Sequence, residues 1–487
     1  MLKALKNRYF IAFLLISLIS ASIIGFSIAY HFYYLFPNSH SLFQIRHNHF
    51  QHLEFYTDKW NYEAGEKISI FASAAGEKKA QLFCFNPTGN DTLLSKEVIL
   101  PFQELAGRVS IAGTGWEKNL EVPIPSEVST GWYLIQLRNS RFRRTTSVFI
   151  SPKPEQVKKS VALLLSTNTW NAYNHWGGQS LYSANYTPEV SFLRPQLLAD
   201  PFIENTYPNQ QLYYQAANID LPLAMLLDSV GIEFDVYAIE ELHRSAEKLI
   251  QYESIVLSTH PEYWSEEMLV NLNICLDSGS NLINLGGNTA AWYSELDIGE
   301  RKLKVHKGAD AYWRENDSKG LRPFGLQETA WGFHSFGPYE VLEDTSFVWE
   351  NTGLKKGDLF GEISETYDYA YAYEGKWELL LSLFRKGRKG AAAGMEIDKL
   401  YPGTPTNWIT LARGWNQQKD GAGIVLSKED IQKLGKEPLG ADLGYYIHPG
   451  GGMIFQTGSL AFCGAIPYDR RIRQIIVNVV SVSMLES

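Results

Sequence analysis

Two ionisable side chains, His260 and Glu262, closely follow an apolar run that ends at Leu257. A plain turn would use Gly, Asn, Asp or Ser here, whereas this segment reads His-Pro-Glu-Tyr-Trp before a helical pattern begins. Ionisable groups at the end of a buried strand need partners, because an unpaired buried charge is costly. The residue types therefore indicate a functional site rather than a simple connection.

Three other polar segments near predicted strand ends carry groups that could do chemistry. Tyr173 and Tyr182 lie after the first strand, Asn288 follows a Gly-Gly pair after the fourth, and Glu396 lies at the end of a late strand. In open parallel sheets, ligands bind beyond the carboxyl ends of the strands. We therefore expect the four segments to meet at one edge of one sheet.

Most of these groups offer oxygen atoms to a ligand. A tyrosine binds a metal as phenolate only when a strongly Lewis-acidic cation stabilises the anion, because the phenol pKa is near 10. Hard anionic oxygens favour a hard cation, and among common metals ferric iron fits better than zinc. Taken singly, each group also has a purely structural interpretation, as a buried phenol, a turn residue or half of an ion pair.

Signatures of other enzyme classes are missing from the sequence. It contains no Gly-x-Ser-x-Gly elbow, Walker loop or His-Glu-x-x-His motif, and no Gly-x-Gly-x-x-Gly after a predicted strand. A nucleophile of the glutamine amidotransferase type would require Cys near position 288, where the chain has Asn. Thiol catalysis is therefore excluded at that position.

The composition is that of a globular chain with two or three domains. Its 487 residues are 45% hydrophobic and 20% charged, and the net charge is −9. Without a basic stripe beyond the extreme N-terminus, nucleic acid is excluded as a partner. Cys84, Cys275 and Cys463 form no Cys-x-x-Cys motif and are interpreted as buried thiols.

The N-terminus predicts a membrane anchor. Basic residues up to Arg8 precede residues 9–30, a stretch of 22 residues without a charge. As a helix, such a stretch spans a hydrocarbon core of roughly 30 Å, whereas a secretory signal has a shorter apolar region of about 7–15 residues. We therefore favour an uncleaved anchor over a cleaved signal. The positive-inside rule then predicts a single-pass membrane protein with its later domains on the periplasmic or extracellular side.

The chain divides into predicted parts at changes of pattern. The tip and anchor cover 1–36 and a polar stalk covers 37–51, while short alternating segments at 52–152 predict a β-sandwich of the Ig or fibronectin type. From 158 to 487, apolar strands alternate with helical periods, which predicts βαβ units on a parallel sheet. Residues 298–390 lose this alternation, which predicts a β-rich insertion. The predicted strands of the sheet lie at 160–166, 233–239, 254–258, 281–287, 391–397 and within 450–464.

Several segments, taken in order, resemble those of one enzyme family. They are TNTWNAYNHWGGQSLY, DVYAIEELH, LSTHPEYWSEEM, GSNLINLGGNTAAWY, AAGMEID and GGMIFQTGSLAFCG. Over about 160–487 the chain is similar to the C-terminal domain of the large (beta) subunit of N,N-dimethylformamidase and its relatives. The resemblance implies a class I glutamine amidotransferase-like fold, which is a doubly wound parallel α/β sheet.

The resemblance also implies a cofactor and a catalytic set. The cofactor is a mononuclear iron, expected as Fe(III), and its implied ligands are Tyr173, Tyr182 and Glu262. The implied catalytic residues are Glu396, His260 and Asn288. Glu396 would act as general base and then protonate the leaving amine, while the other two would orient water or stabilise the developing oxyanion.

Two functions are compatible with these features. The first is a membrane-anchored, iron-dependent hydrolase of non-peptide amide bonds, acting on a small-molecule amide. The second is a non-catalytic envelope protein that binds glycan or a protein partner through the β-sandwich and an aromatic crevice. The tryptophans of that crevice are Trp170, Trp176, Trp292 and Trp331. The sequence identifies neither the substrate nor the oligomeric state, and a homo-oligomer is compatible with it.

Overall fold

A computed structural model describes most of the chain beyond residue 39. The described residues are 40–88, 92–157, 159–182, 187–203, 216–305, 312–313, 317–330, 336–368, 388–415 and 440–482. No helix among them is long and apolar enough to cross a membrane. This finding corrects the predicted single-pass localisation, and the segment on which that prediction rested, 9–30, lies outside the described residues.

Residues 52–151 form two sheets around a shared core. One sheet has the order β1-β3-β6 and the other β2-β8-β7-β4-β5. Alternate residues such as Leu82 and Cys84 are buried in this core, as expected for strands with one buried face. The strands are β1 His52–Thr57, β2 Asn61–Glu63, β3 Lys67–Ala75, β4 Lys79–Phe85, β5 Thr92–Ile99, β6 Leu120–Pro123, β7 Gly131–Arg138 and β8 Arg143–Ser151.

Two helices lie against this pair of sheets. Helix α1 (His40–His49) covers most of the segment predicted as a stalk, and α2 (Val109–Ala112) is a single turn. His47 on α1 is buried, with its Nε2 3.2 Å from the carbonyl oxygen of Gln103. The first described helix is therefore packed onto the sandwich.

A mixed sheet of nine described strands forms the centre of the second half, in the order β11-β9-β12-β14-β28-β27-β26-β20-β21. Neighbours from β11 to β28 are parallel, and neighbours from β28 to β21 are antiparallel. The strands of this half are β9 Val161–Leu165, β10 Glu189–Ser191, β11 Phe234–Ala238, β12 Ser254–Leu257, β13 Tyr263–Trp264, β14 Asn281–Asn284, β15 Trp292–Tyr293, β16 Glu295–Asp297, β17 Lys302–Lys304, β18 Gln327–Ala330, β19 Phe336–Gly337, β20 Tyr339–Val341, β21 Leu359–Phe360, β22 Ser364–Asp368, β23 Arg388–Gly390, β24 Ala393–Gly394, β25 Ile397–Lys399, β26 Ile409–Gly414, β27 Asp442–Ile447 and β28 Met453–Gln456.

Both faces of the central sheet are buried. On β9, Leu163 and Leu165 face one hydrophobic core, whereas Ala162 and Leu164 face another, which explains the continuous apolar run. The helices of this half are α3 Thr167–Tyr173, α4 Ala217–Ser229, α5 Glu240–Arg244, α6 Glu266–Asp277 and α7 Arg470–Val480. All three cysteines are free and buried, which confirms the prediction of buried thiols.

The predicted fold class, a doubly wound parallel sheet with a separate β-rich insertion, is wrong. The strands predicted at 160–166, 233–239, 254–258 and 281–287 are present, but the central sheet is mixed and many small sheets surround it. Strands β20 and β21, from the predicted insertion, belong to the central sheet itself. An apolar run followed by a helix identifies a parallel strand locally, but it does not reveal strands that distant segments add antiparallel to the same sheet.

The predicted strand 391–397 is also corrected. Met395 and Glu396 have φ angles of 50° and 48°, in the left-handed region, so the run breaks into the short strands β24 and β25. These strands pair with β19 and β18 and not with the central sheet. Glu396 therefore lies in a sharp turn between two strands.

Two glycines after β14 allow neighbouring loops to approach the backbone closely. A Cβ atom on Gly286 would clash with the carbonyl oxygen of Thr259, and one on Gly287 would clash with the carbonyl oxygen of Glu396. Only glycine fits at these positions without displacing backbone. The pair brings the loop after β12 and the turn at Glu396 against the end of β14.

Gly287→Ala should therefore destabilise the protein by roughly 1–3 kcal/mol, as overpacking against backbone usually does. Gly299→Ala is the matched control, because its Cβ would meet only the Asp297 Oδ1 at 3.5 Å, an ordinary contact. Thermal unfolding of both variants measures the difference. Equal melting temperatures for the two variants would show that the close approach is not a constraint.

Candidate active site

The loop after β12 is held by α3 and by a short parallel ladder. Thr169 on α3 donates its hydroxyl to the carbonyl oxygen of His260 (2.6 Å) and accepts from the backbone N–H of Glu262 (3.2 Å). Directly afterwards, Tyr263 on β13 pairs with Trp292 on β15. The backbone on both sides of the Glu262 side chain is therefore fixed.

Two buried carboxylates and one imidazole meet at this loop. His260, Glu262 and Glu396 are at most 5% exposed, and each offers a ligand atom within 4.8 Å of the others. The Nε2 of His260 contacts the Oε2 of Glu396 in an ion pair and lies 3.5 Å from the Oε2 of Glu262. Asn288 joins the carboxylates, because its Nδ2 donates to the Oε2 of Glu396 (2.9 Å) and to the Oε1 of Glu262 (3.3 Å).

Tyrosine side chains complete one side of this cluster. The hydroxyl of Tyr182 donates to the Oε1 of Glu262 at 2.9 Å and lies 2.5 Å from the hydroxyl of Tyr263. Tyr182 leaves 40% of its surface exposed, although its hydroxyl faces the buried carboxylate. The ring of Tyr173 stacks on that of Tyr182 at a centroid distance of 3.9 Å. All six residues singled out in the sequence are thus neighbours, and Tyr173 joins them through its ring.

The electrostatics of the cluster favour the protonated forms of the imidazole and the phenols. Burial alone would lower the pKa of His260, but the carboxylates of Glu396 and Glu262 outweigh it and raise that pKa above its usual value. Burial, followed by the charge of Glu262, raises the pKa of the Tyr182 and Tyr263 phenols well above the usual range. The side chains alone therefore keep the phenols as hydrogen-bond donors.

Two residues of the cluster have unusual backbone conformations. Asn288 has a φ of 54° and Glu396 a φ of 48°, and neither is a glycine. The left-handed conformation costs a non-glycine residue about 1–2 kcal/mol, and such strain concentrates at functional sites. The Oδ1 of Asn288 is buried and has no hydrogen-bond partner among the described residues. A ligand or water that donates a hydrogen bond would satisfy this atom.

The sequence-based prediction missed two members of the cluster. The sequence places Tyr263 only in the turn motif, whereas its hydroxyl contacts that of Tyr182. It places Trp292 only in an aromatic crevice, whereas its indole N–H donates to the Oε1 of Glu262 at 2.9 Å. The one signal available was their position, directly after Glu262 and four residues after Asn288.

These side chains could hold a hard cation such as ferric iron. The Glu262 carboxylate and the phenols of Tyr182 and Tyr263 offer oxygen atoms, and the Glu396 carboxylate and the His260 imidazole lie beside them. A set dominated by oxygen suits a hard cation, and two buried carboxylates beside one imidazole leave negative charge for it to neutralise. The chemistry of the donors therefore fits the metal that the sequence predicted.

A buried centre of carboxylates, imidazole and phenols at the end of a parallel strand is typical of a hydrolytic or metal-dependent site. The sequence profile of the family described as N,N-dimethylformamidase beta subunit-like, C-terminal, matches residues 97–474. The chain belongs to this family, which confirms the recognised resemblance.

The family match begins earlier than the resemblance over about 160–487 predicted. It starts at residue 97, within β5, and not near 160. The family resemblance therefore includes the later strands of the sandwich.

Individual relatives are distant. The N,N-dimethylformamidase beta subunit of an Alcaligenes species is 20% identical over 435 residues, and the match covers 75% of this chain and 54% of that protein. This chain thus spans about half the length of the curated relative. Among solved structures, a Salmonella alpha-2-macroglobulin mutant is 13% identical over 20% of this chain and 6% of its own, with a TM-score of 0.14. That likeness is too slight to carry an argument.

In the metal-free protein, Glu396→Gln should lower the pKa of His260, because it removes the carboxylate in direct contact with the imidazole. An NMR titration of labelled histidines measures this shift. Glu267→Gln is the matched control: it removes the carboxylate 3.5 Å from His243 and should leave His260 unchanged. If the titration midpoint of His260 were the same in Glu396→Gln and the wild type, a group other than Glu396 would be raising the pKa.

Proposed function

We propose that this protein is an iron-dependent hydrolase of small, non-peptide amides. The observation that carries the proposal is the convergence of the Tyr182 hydroxyl, the Glu262 carboxylate and the His260–Glu396 pair in one buried cluster. Family membership supports the reaction class. Tyr182 and Glu262 are the proposed iron ligands, with Tyr173 as the third predicted ligand and Tyr263 as a further phenol in contact with Tyr182.

The iron, when bound, would supply Lewis acidity that polarises an amide carbonyl or activates water. Glu396 is proposed as the general base that takes a proton from water and later returns it to the leaving amine. Its Oε2 is positioned for this role, because both His260 and Asn288 contact it. The carboxylate is therefore oriented by two donors before any substrate arrives.

His260 is proposed to stabilise developing negative charge. Because the carboxylates raise its pKa, the imidazole stays protonated to a higher pH than a free histidine does. Asn288 would orient the substrate or water, since its buried Oδ1 can accept a hydrogen bond from an N–H or O–H group. Preorganised donors of this kind are worth about 3–4 kcal/mol each in transition-state stabilisation.

The alternative function is a non-catalytic protein that binds glycan or a protein partner through the β-sandwich and an aromatic crevice, and the positions of the tryptophans weaken the case for glycan binding. Trp170 and Trp176 are 1% and 3% exposed and pack within hydrophobic cores, so neither can stack on a sugar. Trp292 stacks on Tyr312 and donates to Glu262. Trp331 lies outside the described residues. Within the part of the chain that the structure describes, no observation favours this alternative over hydrolysis.

Iron binding is tested on the purified full-length protein. We expect about one iron per chain and a phenolate-to-Fe(III) charge-transfer band, and Tyr182→Phe should lose the band and most of the iron. Tyr252→Phe is the matched control, because Tyr252 belongs to another buried group of two phenols and a carboxylate, with hydrogen bonds to Tyr237 (2.7 Å) and Asp235 (2.8 Å). A colourless wild-type protein that takes up no iron would reject the proposed cofactor.

Catalysis is tested with a panel of small amides, including formamides and N-alkyl amides, by measuring amine release. Glu396→Gln should lower kcat by about 10²–10⁴-fold, the usual contribution of general acid–base catalysis, while iron content stays at the wild-type level. Glu340→Gln, at a partly buried position on β20, the strand next to the edge of the central sheet, should leave kcat unchanged. Full activity in Glu396→Gln would remove this residue from the mechanism.

A further inference from the structure

One oxygen of Glu262 accepts hydrogen bonds from several side chains at once. The indole N–H of Trp292 and the hydroxyl of Tyr182 each lie 2.9 Å from its Oε1, and the Nδ2 of Asn288 lies 3.3 Å away. The other oxygen, Oε2, lies 3.5 Å from the Nε2 of His260. The two oxygens of this carboxylate therefore have different surroundings.

Trp292 is held by more than this one hydrogen bond. Its backbone N–H donates to the carbonyl oxygen of Glu262 at 3.0 Å, within the ladder that pairs β13 with β15. Its ring stacks on Tyr312 with centroids 4.1 Å apart, and the two residues also form a β-bridge. Backbone and side chain of Trp292 thus engage the same residue, Glu262, while Tyr312 fixes the indole plane.

We propose that Trp292 is a positioning residue for the metal ligand Glu262. Its indole holds Oε1 in place beside the hydroxyl of Tyr182, the other proposed ligand, and Oε2 then faces the catalytic pair His260 and Glu396. Unlike Tyr182 and Asn288, Trp292 has no other proposed role in metal binding or catalysis. This inference rests on the proposed function, because it assigns the orientation of an iron ligand.

Physical reasons favour an indole in this role. The indole side chain has an N–H donor but no acceptor atom, and it does not titrate. It therefore cannot compete with the carboxylate for a cation or a proton. Hydrogen bonds to ligand carboxylates orient them, and loss of such partners typically weakens metal binding by 10–100-fold. The stack on Tyr312 limits the orientations of the indole, which lowers the entropy lost when the hydrogen bond forms.

The inference is tested by the iron affinity of Trp292→Phe, which keeps an aromatic ring and removes the N–H donor. We expect iron to bind about 10–100-fold more weakly than in the wild type, with a shifted charge-transfer band. Trp313→Phe is the matched control, because Trp313 donates its indole N–H to the carbonyl oxygen of Trp264 at 3.0 Å. It should bind iron within about twofold of the wild type.

The melting temperature of the metal-free variants separates positioning from folding. If Trp292→Phe is poorly folded, site-specific replacement by 3-benzothienylalanine keeps the bicyclic ring and substitutes sulfur for N–H. Wild-type iron affinity in a folded variant that lacks the donor would overturn the inference and leave the proposed function intact. A wild-type protein that binds no iron would overturn both.

Discussion

The structure of the site depends on two carboxylates, Glu262 and Glu396, that are buried beside the same imidazole. Burying a second negative charge near the first is costly unless each has its own donors. His260 contacts both carboxylates, and Asn288 donates to both. These residues come from three segments of chain, so the carboxylates are stable together only if the fold brings those segments into contact.

The sandwich supports this site indirectly, through helix α3. Trp170 on α3 packs against Trp60 and Trp132 of the sandwich, and the three belong to one hydrophobic core with residues of the central sheet. The same helix carries Thr169, which binds the backbone of the His260–Glu262 loop. A family match that begins in β5 agrees with this arrangement, because the sandwich is packed into the support of the site.

Much of the site could be predicted because its residues follow strands with clear sequence signals. His260 and Glu262 follow β12, and Asn288 follows the glycines after β14, so continuous apolar runs placed them at one sheet edge. Glu396 was predicted to lie near the site for the wrong reason. It lies in a left-handed turn and not at the end of a strand of the central sheet. A glycine at this position would have indicated such a turn, but the residue is a glutamate.

The parts that could not be predicted depend on contacts without a periodic signal. Strands β13 and β15 have two residues each, too few for an alternating pattern, so the approach of Trp292 to Glu262 was not visible. The antiparallel half of the central sheet includes strands that pair although they are far apart in sequence, such as β20 and β26. Their pairing is a property of the folded chain and not of any local stretch.

Strain and hydrogen bonding together determine how rigid the site is before a ligand binds. The left-handed backbone at Asn288 is held by its N–H, which donates to the Oδ1 of Asp398 at 2.9 Å, and burial raises the pKa of Asp398 to about 7. Asp398 lies on β25, directly after the strained turn at Glu396. The two strained residues are therefore linked through one short segment, Glu396 to Asp398, by this hydrogen bond. A site built in this way has little freedom to rearrange, so its donors are already oriented toward the position where a ligand would bind.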